Sequence, residues 1–376
     1  MVARRYHARW IPVFAGCALT GLVALLAMPA RLGGSTRSSA LAPMARITVR
    51  GDQLYAGAAP WRAWGFNWGI GDHVPSLSYF DDPTPAGLAV LTGELRTAHR
   101  MGANSMRVYL ELGQVMQGPD QVRVRVLAAL RRVLAVAESQ RVYLDITGDL
   151  VWRPDHVPAW YERLGEQARW RVQARFWTAV ARAASASPAV LCYELTSEPI
   201  ISESAGHYQG LLDGWTFVQS IAQRRGRNPR TLARAWTSEV ATAVRSQDDR
   251  PVTIGMLPVL HDAFVPANVA DLLDMLVVHE YPHQGQAAAA IALVRGFAAF
   301  HKPVLLGETF MIQDDAATQR AFLLGANRYL VGTMEFFDGR DPAHMTVATM
   351  GDAIYQVALE QFIALRPALL GPRRRG

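Results

Sequence analysis

The chain has 376 residues, half of them apolar and 19% charged, which suits a large buried core and excludes a disordered chain. Its net charge of +6 is carried almost entirely by arginine, Lys302 being the sole lysine, and the basic clusters at 224–230 and 373–375 are short. No basic stripe interleaved with aromatics occurs, so a nucleic-acid partner is not expected. The two cysteines, Cys17 and Cys192, stand in an apolar N-terminal run and a strand-like run, so neither a disulfide nor a thiolate metal site is expected.

The N-terminus differs from the rest. Arg4, Arg5 and Arg9 precede an uncharged stretch from Trp10 to Ala30, which Arg31 closes. That stretch is long enough to span a bilayer as a helix. The flanking arginines keep its start cytoplasmic and send the remainder of the chain outward. Residues 1–30 therefore read as a membrane anchor, with a cleaved signal segment as the alternative. Both readings export the protein. Residues 31–44 (RLGGSTRSSALAPM) are small and polar and read as a linker.

From residue 45 to about 370 the pattern is that of one domain. "ARITVRGDQLYAGAAPW" predicts a small hairpin with glycine turns. Eight apolar runs come after it, at Trp64–Asn67, Ala103–Leu110, Val142–Thr147, Val190–Thr196, Val252–Met256, Met275–His279, Val304–Glu308 and Leu330–Phe337. Amphipathic stretches with helical spacing lie between them, for example Thr84–Arg100, Trp170–Ala186 and Ala316–Tyr329. Alternating strands and helices predict an α/β fold with a parallel sheet. No glycine-rich phosphate loop opens a helix, which disfavours a nucleotide-binding open sheet and favours a (β/α)8 TIM barrel. The segments 157–167 and 200–228 read as long loops above the strand ends.

Active sites of such barrels lie at the C-terminal ends of the strands. Asn67 and Trp68 end the first, Arg107 lies in the second, and Thr147 to Trp152 lie after the third. Ser197 and Glu198 end the fourth, His279 and Tyr281 the sixth, Glu308 the seventh, and Glu335 to Asp338 close the eighth. Two glutamates on different strands, with arginine, histidine and tyrosine around them, match the needs of glycoside cleavage. One carboxylic acid protonates the leaving oxygen while another carboxylate attacks the anomeric carbon. Glu308 beside Arg107 and Tyr281 is expected to stay ionised, and a desolvated Glu198 to stay protonated. Glu194, two alternations before Glu198, reads as pointing into the barrel as a structural partner of an arginine. Trp170, Trp177 and Trp236 lie on helices and read as packing residues, whereas Trp68, Trp152 and Trp160 are candidates for stacking on a sugar.

The motifs "RAWGFNW", "MGANSMRVY", "YELTSEP", "VVHEYP" and "VLLGETF", in this order at successive strand ends, resemble the cellulase-like glycoside hydrolase family 5 of retaining β-glycosidases. The resemblance implies Glu198 as acid/base and Glu308 as nucleophile. Arg107 and Tyr281 would then hydrogen-bond the nucleophile, and His279 would support the acid/base. Three departures fall around one sugar position: Ser197 where the family has asparagine, Thr147 where it has histidine, and no eighth-strand tryptophan. Asn67, Trp68, Trp152, Phe336, Phe337 and Glu335 are the expected substrate contacts. The expected activity is retaining hydrolysis of a β-linked oligo- or polysaccharide. A transglycosylase and a non-catalytic carbohydrate-binding barrel are the alternatives. Neither metal nor organic cofactor is implied, and the oligomeric state is left open.

Overall fold

The computed structural model describes residues 43–69, 73–149, 153, 156–202, 219–257 and 263–371. The expected anchor, almost all of the linker, and Trp152 lie outside the described residues. Among the described residues no helix is long and apolar enough to cross a membrane. Met44, the last residue of the expected linker, is buried in the core.

Eight parallel strands close a barrel. They are β1 (Ala63–Trp68), β2 (Ser105–Glu111), β3 (Tyr143–Asp149), β4 (Val190–Ser197), β5 (Val252–Met256), β6 (Leu276–His279), β7 (Val304–Glu308) and β8 (Gly332–Phe337). The ring closes through β8 against β1, with Gly332 opposite Ala63 and Phe337 opposite Trp68. Each expected strand is present, and the eight alternate with helices on the outside. The expected hairpin is a three-stranded antiparallel sheet of Ile47–Arg50, Gln53–Ala56 and Ala59–Trp61. It sits at the start of β3, where the Tyr143 hydroxyl donates to the Ala45 carbonyl at 2.6 Å and Trp61 meets the Tyr143 ring edge-on. The mouth formed by the strands' C-terminal ends is thereby left to the βα loops. The 200–228 region is not all loop, since Pro199–Ser202 and Gln219–Gln223 pair as two short parallel strands.

Side-chain alternation divides the strands into two faces. On β1, Trp64, Phe66 and Trp68 point outward into the layer beneath the helices, while Gly65 and Asn67 point into the barrel. Trp64 stacks on Phe362 of the C-terminal helix Met350–Leu370 at 4.7 Å, and Phe66 stacks on Phe337 at 5.1 Å. These rings are fully buried, and truncating one costs about 3–5 kcal/mol. The outer helices arise from their caps and apolar faces. Asn228 caps Pro229–Arg245 by accepting from the amides of Arg230 and Thr231. Asp315 caps Ala316–Ala326, and Thr349 with Asp352 forms a capping box on the last helix. Trp170, Trp177 and Trp236 are buried in the helix layer, as packing residues should be.

The same alternation corrects three expected sugar contacts. Trp68 is fully buried on the outer face, with its indole Nε1 donating to Glu94 at 2.7 Å, so no ring face is free to stack on a sugar. Phe337 pairs with Trp68 in register and is fully buried beside Phe66, again outside the barrel. Glu335 pairs in register with outward-pointing Phe66, so its carboxyl enters the layer between barrel and helices rather than the mouth. Phe336, opposite inward-pointing Asn67, is the β8 aromatic that faces the interior.

Candidate active site

Alternation on β2 sends Arg107 and Tyr109 to the same inner face, and the register sets Arg107 beside Asn67 of β1 and Asp145 of β3. Arg107 is fully buried and every nitrogen of its fork is used. Nη1 donates to Glu308 Oε1 and to the Tyr109 hydroxyl (3.0 Å), and Nη2 donates to Glu194 and to Ser197 Oγ (3.0 Å). Nε donates to Thr147 Oγ1 at 2.9 Å. The planar fork thus orients carboxylates from β4 and β7 at once.

Glu308 accepts on both oxygens. Oε1 takes Arg107 and the Tyr109 hydroxyl (3.3 Å), and Oε2 takes the Tyr281 hydroxyl at 2.5 Å. Burial alone would raise this carboxyl. The positive charges of His279 and Arg107 and the bonds from Tyr281 and Arg107 outweigh it, leaving Glu308 below the ordinary carboxylate range.

Glu198 reaches the same space from β4. Its backbone turns left-handed, with φ of 47°, directly before Pro199, and its amide donates to the Gly255 carbonyl of β5 at 2.8 Å. A non-glycine residue held there stores about 1–3 kcal/mol of strain, which the surrounding barrel must maintain. The twist turns the side chain toward His279, whose Nδ1 lies 2.9 Å from Glu198 Oε1 and 3.5 Å from Glu308 Oε2. Burial raises the Glu198 carboxyl, and although His279 opposes this, the net direction is upward. His279 itself is held above its ordinary value, because the charge of Glu308 and the bond to Glu198 outweigh the cost of burial.

One atom each from Glu198, His279 and Glu308 fall within 4.8 Å of one another. This triangle could also hold a metal ion. Glu308, however, already accepts from a guanidinium and two hydroxyls, a donor set suited to a bare carboxylate rather than to an ion beside Arg107. A second group, Asp81, Glu111 and His156, is bridged by Arg153, which donates to both carboxylates.

The structure therefore brings Glu198, Glu308, Arg107, His279, Tyr281 and Ser197 together, with Asn67 and Phe336 on the same inner face. Phe336 lies parallel to Tyr281 at 6.5 Å and edge-on to Phe310 at 5.9 Å. Ser197 Oγ accepts from Arg107 at 3.0 Å, which fixes the oxygen and leaves its O–H able to donate. Tyr109 and Thr147 are partners that the motifs did not supply as such. The signal for Tyr109 was the two-residue spacing in "RVY", which places it on the inner face with Arg107. Glu194 pairs with Arg107 at the bottom of the site.

No protein-family model matches the sequence, and none of the curated proteins does. Solved structures match it in fold. GH5_18 from Streptomyces cattleya in complex with GlcNAc aligns with a TM-score of 0.60 at 16% identity, over 84% of this chain and 82% of the other. An endo-1,4-beta-mannanase from Eisenia fetida aligns at 0.59 and 16% identity, over 85% and 95%. The beta-mannanase of the blue mussel Mytilus edulis aligns at 0.60 and 13%, over 89% and 99%. Motif order and barrel architecture thus point the same way: the chain resembles the cellulase-like glycoside hydrolases of family 5.

Proposed function

We propose that this protein is a retaining β-glycosidase acting on a β-linked oligo- or polysaccharide. The observation that carries the reading is a pair of glutamates from β4 and β7 whose surroundings push their proton affinities apart. Glu308, ionised and aligned by Arg107, Tyr109 and Tyr281, attacks the anomeric carbon. Glu198, kept protonated by burial, gives its proton to the departing oxygen and then takes one from the attacking water. His279 lies between the two, 2.9 Å from Glu198 and 3.5 Å from Glu308. One oxygen from each glutamate lies within 4.8 Å of the other, close enough for the short separation of retaining enzymes, in which Glu308 meets the sugar with no water between them.

Mannose-containing β-glycosides are the first substrates to assay, because two of the similar structures are β-mannanases. The apolar run at 10–30 supports export with the barrel tethered to a membrane, and fractionation of cells expressing the full chain tests that placement. For the reaction, wild type and the variants Glu198→Gln and Glu308→Gln are assayed on β-glucans, β-mannans and β-xylans, with product anomers followed by NMR. The reading expects β-product first and loss of turnover in both variants. Turnover retained in Glu308→Gln, or α-product first, contradicts it.

A further inference from the structure

Asp149 is a buried acid at the mouth that the proposed reaction does not use. Register across β2 and β3 stacks the inner face in layers, with Asp145 beside Arg107, Thr147 beside Tyr109 and Asp149 beside Glu111. Gly148 between them faces outward, because a Cβ there would strike the Trp177 ring at 2.6 Å. Asp149 therefore stands one inward position nearer the mouth than Thr147, which holds Arg107. Sugar attacked by Glu308 must lie on that same side of Glu308, since the barrel below is filled by Arg107, Glu194 and Asp145.

Arg107, the cation whose charge acts on Asp149, already spends all its N–H groups on Thr147, Tyr109, Glu308, Glu194 and Ser197. Asp149 is fully buried, and neither of its oxygens has a hydrogen-bond partner among the described residues. A buried polar group left unpaired costs about 1–3 kcal/mol, so an unpaired carboxyl at a mouth is poised for a ligand. We propose that Asp149 is a specificity-determining residue that hydrogen-bonds a hydroxyl of the sugar lying over Glu308, in the place where the third-strand histidine and the asparagine before Glu198 are missing. Burial, with Glu111, Glu194 and Glu308 adding to it against Arg107, pushes this carboxyl well up. In its protonated form the carboxyl donates one hydrogen bond and accepts another.

The inference rests on the glycosidase reading, and the test separates the two. Wild type, Asp149→Ala and Asp149→Asn are compared on nitrophenyl β-glycosides of glucose, mannose, galactose and xylose, with thermal melting as a check on folding. Asp149→Ala is expected to lose roughly 100-fold in kcat/KM on the preferred sugar and to flatten the preference among epimers, as removal of a buried hydroxyl partner does. Asp149→Asn, which still donates and accepts, is expected to stay within about tenfold and to keep the preference. A purely structural role moves the melting temperature and leaves the epimer ratio intact, which overturns the inference, as does an Asp149→Ala that matches wild type. Loss of turnover in Glu308→Gln alongside such a result keeps the glycosidase reading standing. If wild type cleaves no sugar of the panel, the glycosidase reading is judged on the β-glucans, β-mannans and β-xylans, and for Asp149 calorimetric titration with manno- and cello-oligosaccharides decides. Tenfold weaker binding by Asp149→Ala then supports the contact, and equal or absent binding overturns it.

Discussion

Burial acts on Glu198 and Glu308 in the same direction, and their neighbours separate them. Glu308 faces a guanidinium, a histidine and two phenols, whereas among the described residues Glu198 has His279 alone at hydrogen-bond distance. Removing one donor from Glu308 should therefore raise its proton affinity. Tyr281→Phe is expected to lower kcat/KM by roughly 10–100-fold, the worth of a hydrogen bond to a charged group. The acidic limb of the kcat/KM profile should also move to higher pH, because the nucleophile must lose its proton against a weaker pull. A limb that stays in place would assign the hydroxyl elsewhere. Motif and alternation together placed Arg107, Tyr281 and both glutamates on the inner face, where the structure brings them together. Sequence alone misplaced Trp68 because a tryptophan at a strand end was read without its parity; Trp64, Phe66 and Trp68 alternate, and two of the three are visibly core rings. Asp149 drew no attention because an acid after a glycine looks like a loop residue until register places it inside.

At the scale of the element, the strands' inner faces are held open by small residues. Gly255 of β5 is the position where β4 and β6 approach, and a Cβ there would lie 2.5 Å from Glu194 Oε1 and 2.7 Å from His279 Nε2. Its carbonyl also fixes the left-handed Glu198 backbone. Gly255→Ala should displace His279, lowering kcat at least tenfold with a smaller change in KM, and should lower the melting temperature by several degrees, since overpacking costs about 1–3 kcal/mol. Full activity at wild-type stability would contradict this account of the strand. On the outer layer, Thr349→Ala should cost about 1 kcal/mol, read by denaturant titration, because the hydroxyl holds the Asp352 amide at the start of the last helix. Strand positions were legible because a barrel strand buried on both faces reads as a continuous apolar run. The helix Pro75–Asp81 was not, since its seven residues are too few to show a period and only Pro75 marks its start.

Across the whole molecule the barrel concentrates carboxyls faster than it supplies cations. Burial holds Asp145 up to about 8 and Asp314 up to about 7, and pushes Glu335 well above its usual range with Asp314 adding to it. An acid raised on folding keeps a proton that the unfolded chain releases near pH 4, so each such group costs stability as pH climbs from there toward its folded value. The melting temperature should fall between pH 5 and 8. Glu335→Gln, which removes one such group away from the site, should melt higher than wild type at pH 8 and nearly level with it at pH 5, each kcal/mol moving the midpoint by roughly 2–4 °C. Parallel curves for the two proteins would contradict the buried placement of Glu335. Sequence alone suggested a substrate role for this residue, because its parity depends on how β8 closes against β1, and closure is a property of the whole ring. The order of eight strands and the two catalytic candidates, in contrast, were written in local patterns that survive without any knowledge of the loops.

The central claim is that Glu308 becomes covalently bonded to sugar while Glu198 handles the proton. Wild type incubated with fluorosugar β-glycosides carrying a dinitrophenyl leaving group, in the gluco and manno configurations, should gain the mass of one fluorosugar, and peptide mapping should place it on Glu308. A label on any other residue, or catalytic turnover of β-glycosides with no trapped intermediate and inverted product, would contradict the account.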